Sequence, residues 1–241
     1  VGCMVCGFAY YPISCKPEDI AQAQRDMEIW NYYCMDVMCK GKYPYWSERY
    51  WDDHHIKLTI MDEDLKDFKE GIVDFISFSY YRTDCSQADQ KKSREKTNFG
   101  LKNPLLDATQ WGWTIDPDGL RWLLNEFYNR YEKPLIIVEN GIGAYDQKEE
   151  DGTIHDIERI EYLKKHIKAM KEAIKDGVDL IGYTCWSAVD IVSASTGEFK
   201  KRYGLIYVDA DDYGHGSYKR YKKDSFFWYK KVIESNGEIL D

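Results

Sequence analysis

Short apolar runs alternate along this chain with longer stretches of helical periodicity. Residues 1–9, 73–80, 135–138 and 180–186 read as strands, because each is brief and dominated by apolar side chains rather than alternating in and out. A helix is predicted after each of them. Pro17-Glu18-Asp19 opens the first, with Pro in the first turn and acids at the positive end of the helix dipole. This helix is predicted to run to about Lys40 and stop at Gly41, with a short acidic helix over 62–69 ending near Gly71. Asp116-Pro117 starts another, carrying Leu120, Leu123, Leu124 and Phe127 on one face. Asp156 is expected to cap a helix whose stripe is Ile160, Leu163, Ile167, Met170 and Ile174, ending at Gly177. A last helix is predicted from Ser217 to about Ser235, before Gly237. Residues 85–101 are polar and aperiodic and read as a long loop, while 203–208 read as an added strand.

Four βα units in series imply an α/β fold with a parallel sheet. Eight such units make a (β/α)8 barrel of about 250 residues. Here four of them, with long loops, occupy all 241 residues. The expected architecture is therefore half of such a barrel, with residues 1–241 as a single domain.

Composition narrows the function. A formal net charge of −9 disfavours nucleic acid, whose phosphates need clustered Lys and Arg. The 20 Tyr and 8 Trp are numerous enough that some are expected to line clefts rather than the core alone. Seven Cys in irregular spacing read as reduced thiols of a cytoplasmic protein. Cys3 and Cys6 form a C-x-x-C, but no second pair completes a zinc site, so no metal or other cofactor is expected. The apolar start is short, broken by Gly7 and Pro12, and unlike a signal or membrane segment. Beginning on Val rather than Met, the chain is expected not to start at a natural initiation point.

In a βα barrel the chemistry sits at the C-terminal strand ends. The third strand ends in Glu139-Asn140-Gly141, a carboxylate directly after an apolar run. Such a group is costly there unless paired or functional, although a loop Glu capping the strand mouth would look the same. The second strand ends in Tyr80-Tyr81, where a phenol could donate to Glu139 or serve as a rim aromatic. The fourth ends in Cys185-Trp186, and a Trp there could floor a sugar site. Beyond it come Ser193, Ser195 and Thr196, then Lys200-Lys201-Arg202-Tyr203. Hydroxyls followed by bases suit an anion, and phosphate sites in this fold often lie in the last two loops. A solvated basic run is the plainer explanation of the same residues.

Taken together, the stretches 74–81, 137–141, 182–186 and 201–209 resemble glycoside hydrolase family 1, in its 6-phospho-β-glucosidase branch. The resemblance runs the length of the chain. It implies that Glu139 is the nucleophile, that Tyr81 contacts it, that Trp186 lines the glycone site, and that Trp111 is the platform for the leaving group. It implies a 6-phosphate held by Ser193, Lys201 and Tyr203, with Ser195 as the alternative serine. Relatives acting on unphosphorylated sugars carry Glu-Trp where this chain has Ser193-Ala194, and a Glu there would repel a phosphate. Ser79, where many relatives have Asn, also fits the phospho-branch.

One part of the family pattern is absent. A retaining glycosidase needs two carboxyl groups about 5–5.5 Å apart. The family's acid/base Glu follows the fourth barrel strand in an Asn-Glu pair, whereas this chain is expected to begin at the fifth. Its own Asn125-Glu126 lies mid-helix and receives no such role. The expected partners are thus a phosphorylated β-glucoside and the N-terminal half of the barrel, with no nucleic acid and no membrane. Two other readings compete: a catalytically incomplete half-barrel, either a truncated fragment or a sugar-phosphate-binding module needing a partner half, and a redox protein using Cys3 and Cys6.

Overall fold

The computed structural model describes residues 1–89 and 99–241. Its elements run β1 (Gly2–Cys6), β2 (Ala9–Pro12), α1 (Pro17–Met27), a π-helical turn (Glu28–Tyr32), α2 (Tyr33–Lys40), α3 (Ser47–Asp53) and α4 (Asp62–Glu70). They continue with β3 (Phe75–Ser79), β4 (Thr83–Ser86), α5 (Pro117–Tyr131), β5 (Leu135–Glu139), α6 (Ile157–Lys175), β6 (Leu180–Tyr183), β7 (Ile206–Val208), β8 (Arg220–Lys222) and α7 (Asp224–Glu234).

β1, β3, β5 and β6 form a 4-stranded sheet in that order, and every neighbouring pair is parallel. Sequential strands lying side by side, each joined to the next by helix, give half of a (β/α)8 barrel, as the hydrophobic pattern implies. One face of the sheet is covered. Ile76, Phe78, Leu135 and Ile137 are fully buried there against Leu120, Leu123, Leu124 and Phe127 of α5, with Ile167 and Met170 of α6 in the same core. Each fully buried side chain of this kind stabilises the fold by about 1.5–3 kcal/mol. The opposite face is less covered, and Met4 of β1 is half exposed on it. β1 and β6 are the outer strands.

Several boundaries differ from the pattern-based expectation, each for a physical reason. The first strand stops at Cys6, and 9–12 form β2, which pairs in parallel with β4 in a separate 2-stranded sheet. β4 lies at the start of the segment expected to be loop, and its sequence, Thr-Asp-Cys-Ser, carries no apolar signal. Residues 90–98, in the middle of that expected loop, lie outside the described residues.

The expected 17–40 helix is interrupted by its π turn. That turn contains Asn31, whose side chain is 1% exposed and bonds the backbone of Phe8 on both sides: it accepts from Phe8 N at 2.9 Å and donates to Phe8 O at 2.8 Å. The last helix starts at Asp224 rather than Ser217, because Tyr221 pairs with Tyr207 in the antiparallel β7–β8 ladder. Asp116 caps α5 as expected, accepting from Gly119 N at 2.8 Å. Asp156 stands at the start of α6 but spends its carboxylate elsewhere, on Arg159 and Ser225. Ile174, expected on the core stripe of α6, is half exposed.

Cys3 and Cys6 do not form a redox pair. Cys3 is buried in the helix-facing core, while Cys6 lines a cavity at the end of β1. Three residues of strand span about 10 Å, beyond the reach of a disulfide. No helix among the described residues is long and apolar enough to cross a membrane.

Candidate active site at the strand ends

Leu135 and Ile137 of β5 face the helices. Simple alternation would send residue 139 the same way. The ladder to β3 slips instead: Phe78 pairs with Ile137, and Ser79 with Glu139. Val138 is skipped, a bulge of the kind that re-aims a side chain beside a functional site. Glu139 consequently lines a cavity of about 340 Å³ bounded by the ends of β1, β3 and β5. The Tyr81 hydroxyl donates to its carboxylate at 3.0 Å. Burial, and then the nearby Glu139 charge, push the Tyr81 phenol well above its ordinary value, so it remains a donor across the physiological range.

Asn140, the next residue, is fully buried and fully used. Its amide donates to Tyr80 O at 2.7 Å and to the Tyr162 hydroxyl at 3.0 Å, and its carbonyl accepts from the Tyr183 hydroxyl at 2.9 Å. The side chain therefore ties β5 to β3, α6 and β6 directly under Glu139. Asn140→Ala would strip Tyr80 O and the Tyr183 hydroxyl of this partner and leave the Tyr162 hydroxyl only its 3.3 Å bond to Tyr81 O. At about 1–3 kcal/mol for a stranded polar group, the expected result is a lower urea midpoint with an unchanged slope. An unchanged midpoint would mean that water replaces the amide.

The basic run divides into three fates. Lys200 is paired at the surface, 2.8 Å from Glu198 and 3.5 Å from Asp212. Arg202 is buried on Asp190 at 3.0 Å. Lys201 alone turns into the cavity, only 2% exposed. Its ammonium lies 4.2 Å from the Trp113 ring centre, 5.3 Å from that of Trp111 and 5.6 Å from that of Tyr203. It donates a long hydrogen bond to Ser195 Oγ, 3.4 Å. No carboxylate among the described residues lies within ion-pair distance of it. Burial holds its pKa below the ordinary lysine value, against a smaller upward pull from Glu198.

Ser193 and Ser195 are 3.2 Å apart, and hydrogen bonds from both oppose the rise that burial causes in the Tyr203 pKa. Ser195 forms the cavity wall, whereas Ser193 and Tyr203 stand buried behind it. Gly143 permits this packing, since a Cβ there would sit 2.7 Å from Lys201 Cγ.

Glu139, Tyr81, Trp111, Ser195 and Lys201 thus share one cavity. Trp186 is half-buried beside it, its backbone N–H donating to Asn140 O at 2.7 Å. Three features escaped the sequence reading. Trp113, two residues beyond Trp111, packs on Tyr81 with ring centres 5.6 Å apart. Arg82 lines the cavity and lies 3.2 Å from Asp84. Glu198 accepts from the Trp111 indole at 2.8 Å, and bonds from Lys200, Trp111 and Thr196 hold its carboxyl down at about 2. The Trp-Gly-Trp repeat was a visible signal; Glu198 had none. Asn125 and Glu126 lie on α5, where Asn125 donates to Asp176 and Glu126 accepts from Tyr32, so neither reaches the cavity.

Known proteins resemble this chain along its whole length. The model of glycosyl hydrolase family 1 matches residues 1–238. The chain is 50% identical to the aryl-phospho-β-D-glucosidase BglA of Bacillus subtilis (strain 168), over 100% of its own length and 51% of that protein's. It is 51% identical to a phospho-cellobiase of Klebsiella oxytoca, covering 52% of it. Among solved structures, a family 1 β-glucosidase from Thermotoga maritima superposes with a TM-score of 0.83 at 32% identity, over 99% of this chain and 51% of that one. The chain therefore spans about half the length of the relatives it matches, and it belongs to glycosyl hydrolase family 1.

Proposed function

We propose that this chain supplies the nucleophile and the phosphate site of a retaining 6-phospho-β-glucosidase. The observation that carries this reading is Lys201: a buried ammonium with no carboxylate partner among the described residues, facing the same cavity as Glu139. A buried cation without a counter-ion is unfavourable until an anion arrives. The names of the relatives supply the anion, a phosphorylated glucoside.

In this mechanism Glu139 attacks the anomeric carbon and forms a covalent glycosyl-enzyme as the glycosidic bond breaks. Tyr81 orients the carboxylate by its hydrogen bond. Trp111 and Trp186 are proposed to hold the leaving group and the sugar ring, and Ser193 or Ser195, Lys201 and Tyr203 the phosphate. Among the described residues lining the cavity, Glu139 is the only carboxylate. The acid that protonates the leaving oxygen is therefore proposed to come from the other half of the barrel, docked on the free edges of β1 and β6. Without that half the same observation favours a second reading, in which the chain binds sugar phosphates and does not turn them over.

Joining the chain to the N-terminal half of the Bacillus subtilis relative tests the proposal. The joined protein is expected to hydrolyse an aryl 6-phospho-β-glucoside, to release the β-anomer first by NMR, and to leave the unphosphorylated glucoside nearly untouched. Initial release of the α-anomer would rule out double displacement, and equal turnover of the two substrates would remove Lys201 from its role.

A further inference from the structure

We infer that Arg159, Asp190 and Lys223 are positioning residues for phosphate recognition: Arg159 and Asp190 fix the backbone of residues 202–204, Lys223 braces Asp190, and together they set where Lys201 and Tyr203 stand. The inference rests on reading Lys201 as the phosphate ligand and adds the device that aims it.

The segment is held at successive backbone atoms. Arg159 donates to Arg202 O at 2.8 Å and to Tyr203 O at 3.2 Å. Asp190 accepts from Gly204 N at 3.0 Å. Asp190 also takes Arg202 at 3.0 Å and Lys223 at 2.7 Å, and Lys223 bonds Asp146 in turn. Arg159 reaches Asp146 at 3.0 Å and Asp156 at 2.6 Å. Arg159 is 1% exposed, Lys223 0% and Asp190 4%.

The cluster balances three cations (Arg159, Arg202, Lys223) against three carboxylates (Asp146, Asp156, Asp190). It closes on itself and lends no carboxylate to Lys201. A segment loose by an ångström would let Lys201 swing to Glu198 or to water, and misplacement on that scale can cost two decades in rate. None of the three positioning residues lines the cavity.

The test is calorimetric titration of the whole chain with inorganic phosphate, from neutral to alkaline pH. Arg159→Lys keeps the charge but cannot fork to both carbonyls. It is expected to lower affinity about tenfold, the equivalent of one charge-assisted hydrogen bond. Affinity should also decline above the pH at which Lys201 loses its proton. In the variant that limb should move up toward the ordinary lysine range as water reaches the ammonium; Glu198 and Arg82, the charges that face it, are unchanged.

A folded Arg159→Lys chain with native affinity and a native alkaline limb would overturn the inference and leave the phosphate site standing. If Lys201→Met binds phosphate as well as the native chain does, or if neither binds, the site itself is misread. Should Arg159→Lys not fold, Asp190→Asn takes its place. In the native chain, hydrogen exchange of the Arg202 and Gly204 amides must also be as slow as in α5, and fast exchange there would overturn the inference without any variant.

Discussion

In the joined enzyme, Glu139→Gln is expected to reduce turnover of an aryl 6-phospho-β-glucoside by a factor on the order of 10⁴–10⁶, the range seen when a nucleophile is removed from a preorganised site. The substitution is nearly isosteric, and the amide oxygen can still accept from Tyr81, so the cavity should keep its shape. What is lost is the charge that attacks the anomeric carbon. Phosphate affinity, which depends on Lys201 and its neighbours, should not change. This pairing makes the result interpretable. Lost turnover with intact phosphate binding assigns the chemistry to Glu139, whereas turnover at the native rate would remove it from the reaction.

The second large effect is on stability. Lys223→Met is expected to cost about 3–5 kcal/mol, because it takes one of three cations from a closed buried cluster and leaves Asp146, Asp156 and Asp190 facing only Arg159 and Arg202. The Lys223 side chain is 0% exposed, and its partners Asp146 and Asp190 are 2% and 0% exposed. Met reproduces the unbranched stem as far as Cε and leaves little cavity, so the loss measures charge rather than packing. The control is Lys230→Met, whose pair with Glu234 is 61% and 59% exposed on α7. It should cost less than about 0.5 kcal/mol. Urea unfolding of the two variants checks both figures, and a Lys223→Met loss close to that of Lys230→Met would show that the cluster does not need its ammonium.

The sequence disclosed the parts that depend on local pattern. Apolar runs near 75, 135 and 180 had to be strands, and the Leu120–Phe127 stripe had to be a buried helix face, because burial and periodicity are one fact. Glu139 was visible for the same reason, as a carboxylate where an apolar strand ends. The bulge that aims it was not, since a register slip depends on two strands at once. Strands β2 and β4 were hidden because their partners are distant and their residues mixed. Tyr221 was misread as helix because the antiparallel partner that claims it, Tyr207, is supplied by a different loop. The fates of Lys200, Lys201 and Arg202 could not be separated by composition: three adjacent bases differ only in which carboxylate, if any, the fold brings to each. Asp156 shows the converse, a correct start position whose side chain tertiary contacts had already claimed.

The π turn at Glu28–Tyr32 has a consequence for how this fold tolerates change in length. Each residue of an α-helix turns the chain by about 100°. A π turn carries one residue more than an α turn, and such bulges inside α-helices are frequent at functional sites. Asn31 serves Phe8 only in that phase, and Phe8 lines the cavity wall beside Glu139. Removing any one residue between positions 28 and 32 would restore a regular helix, improve its local hydrogen bonding, and rotate the following turn away from the end of β1. In this stretch the more regular helix is the wrong one, and alignment gaps placed there would mark a change in the cavity rather than a neutral trim.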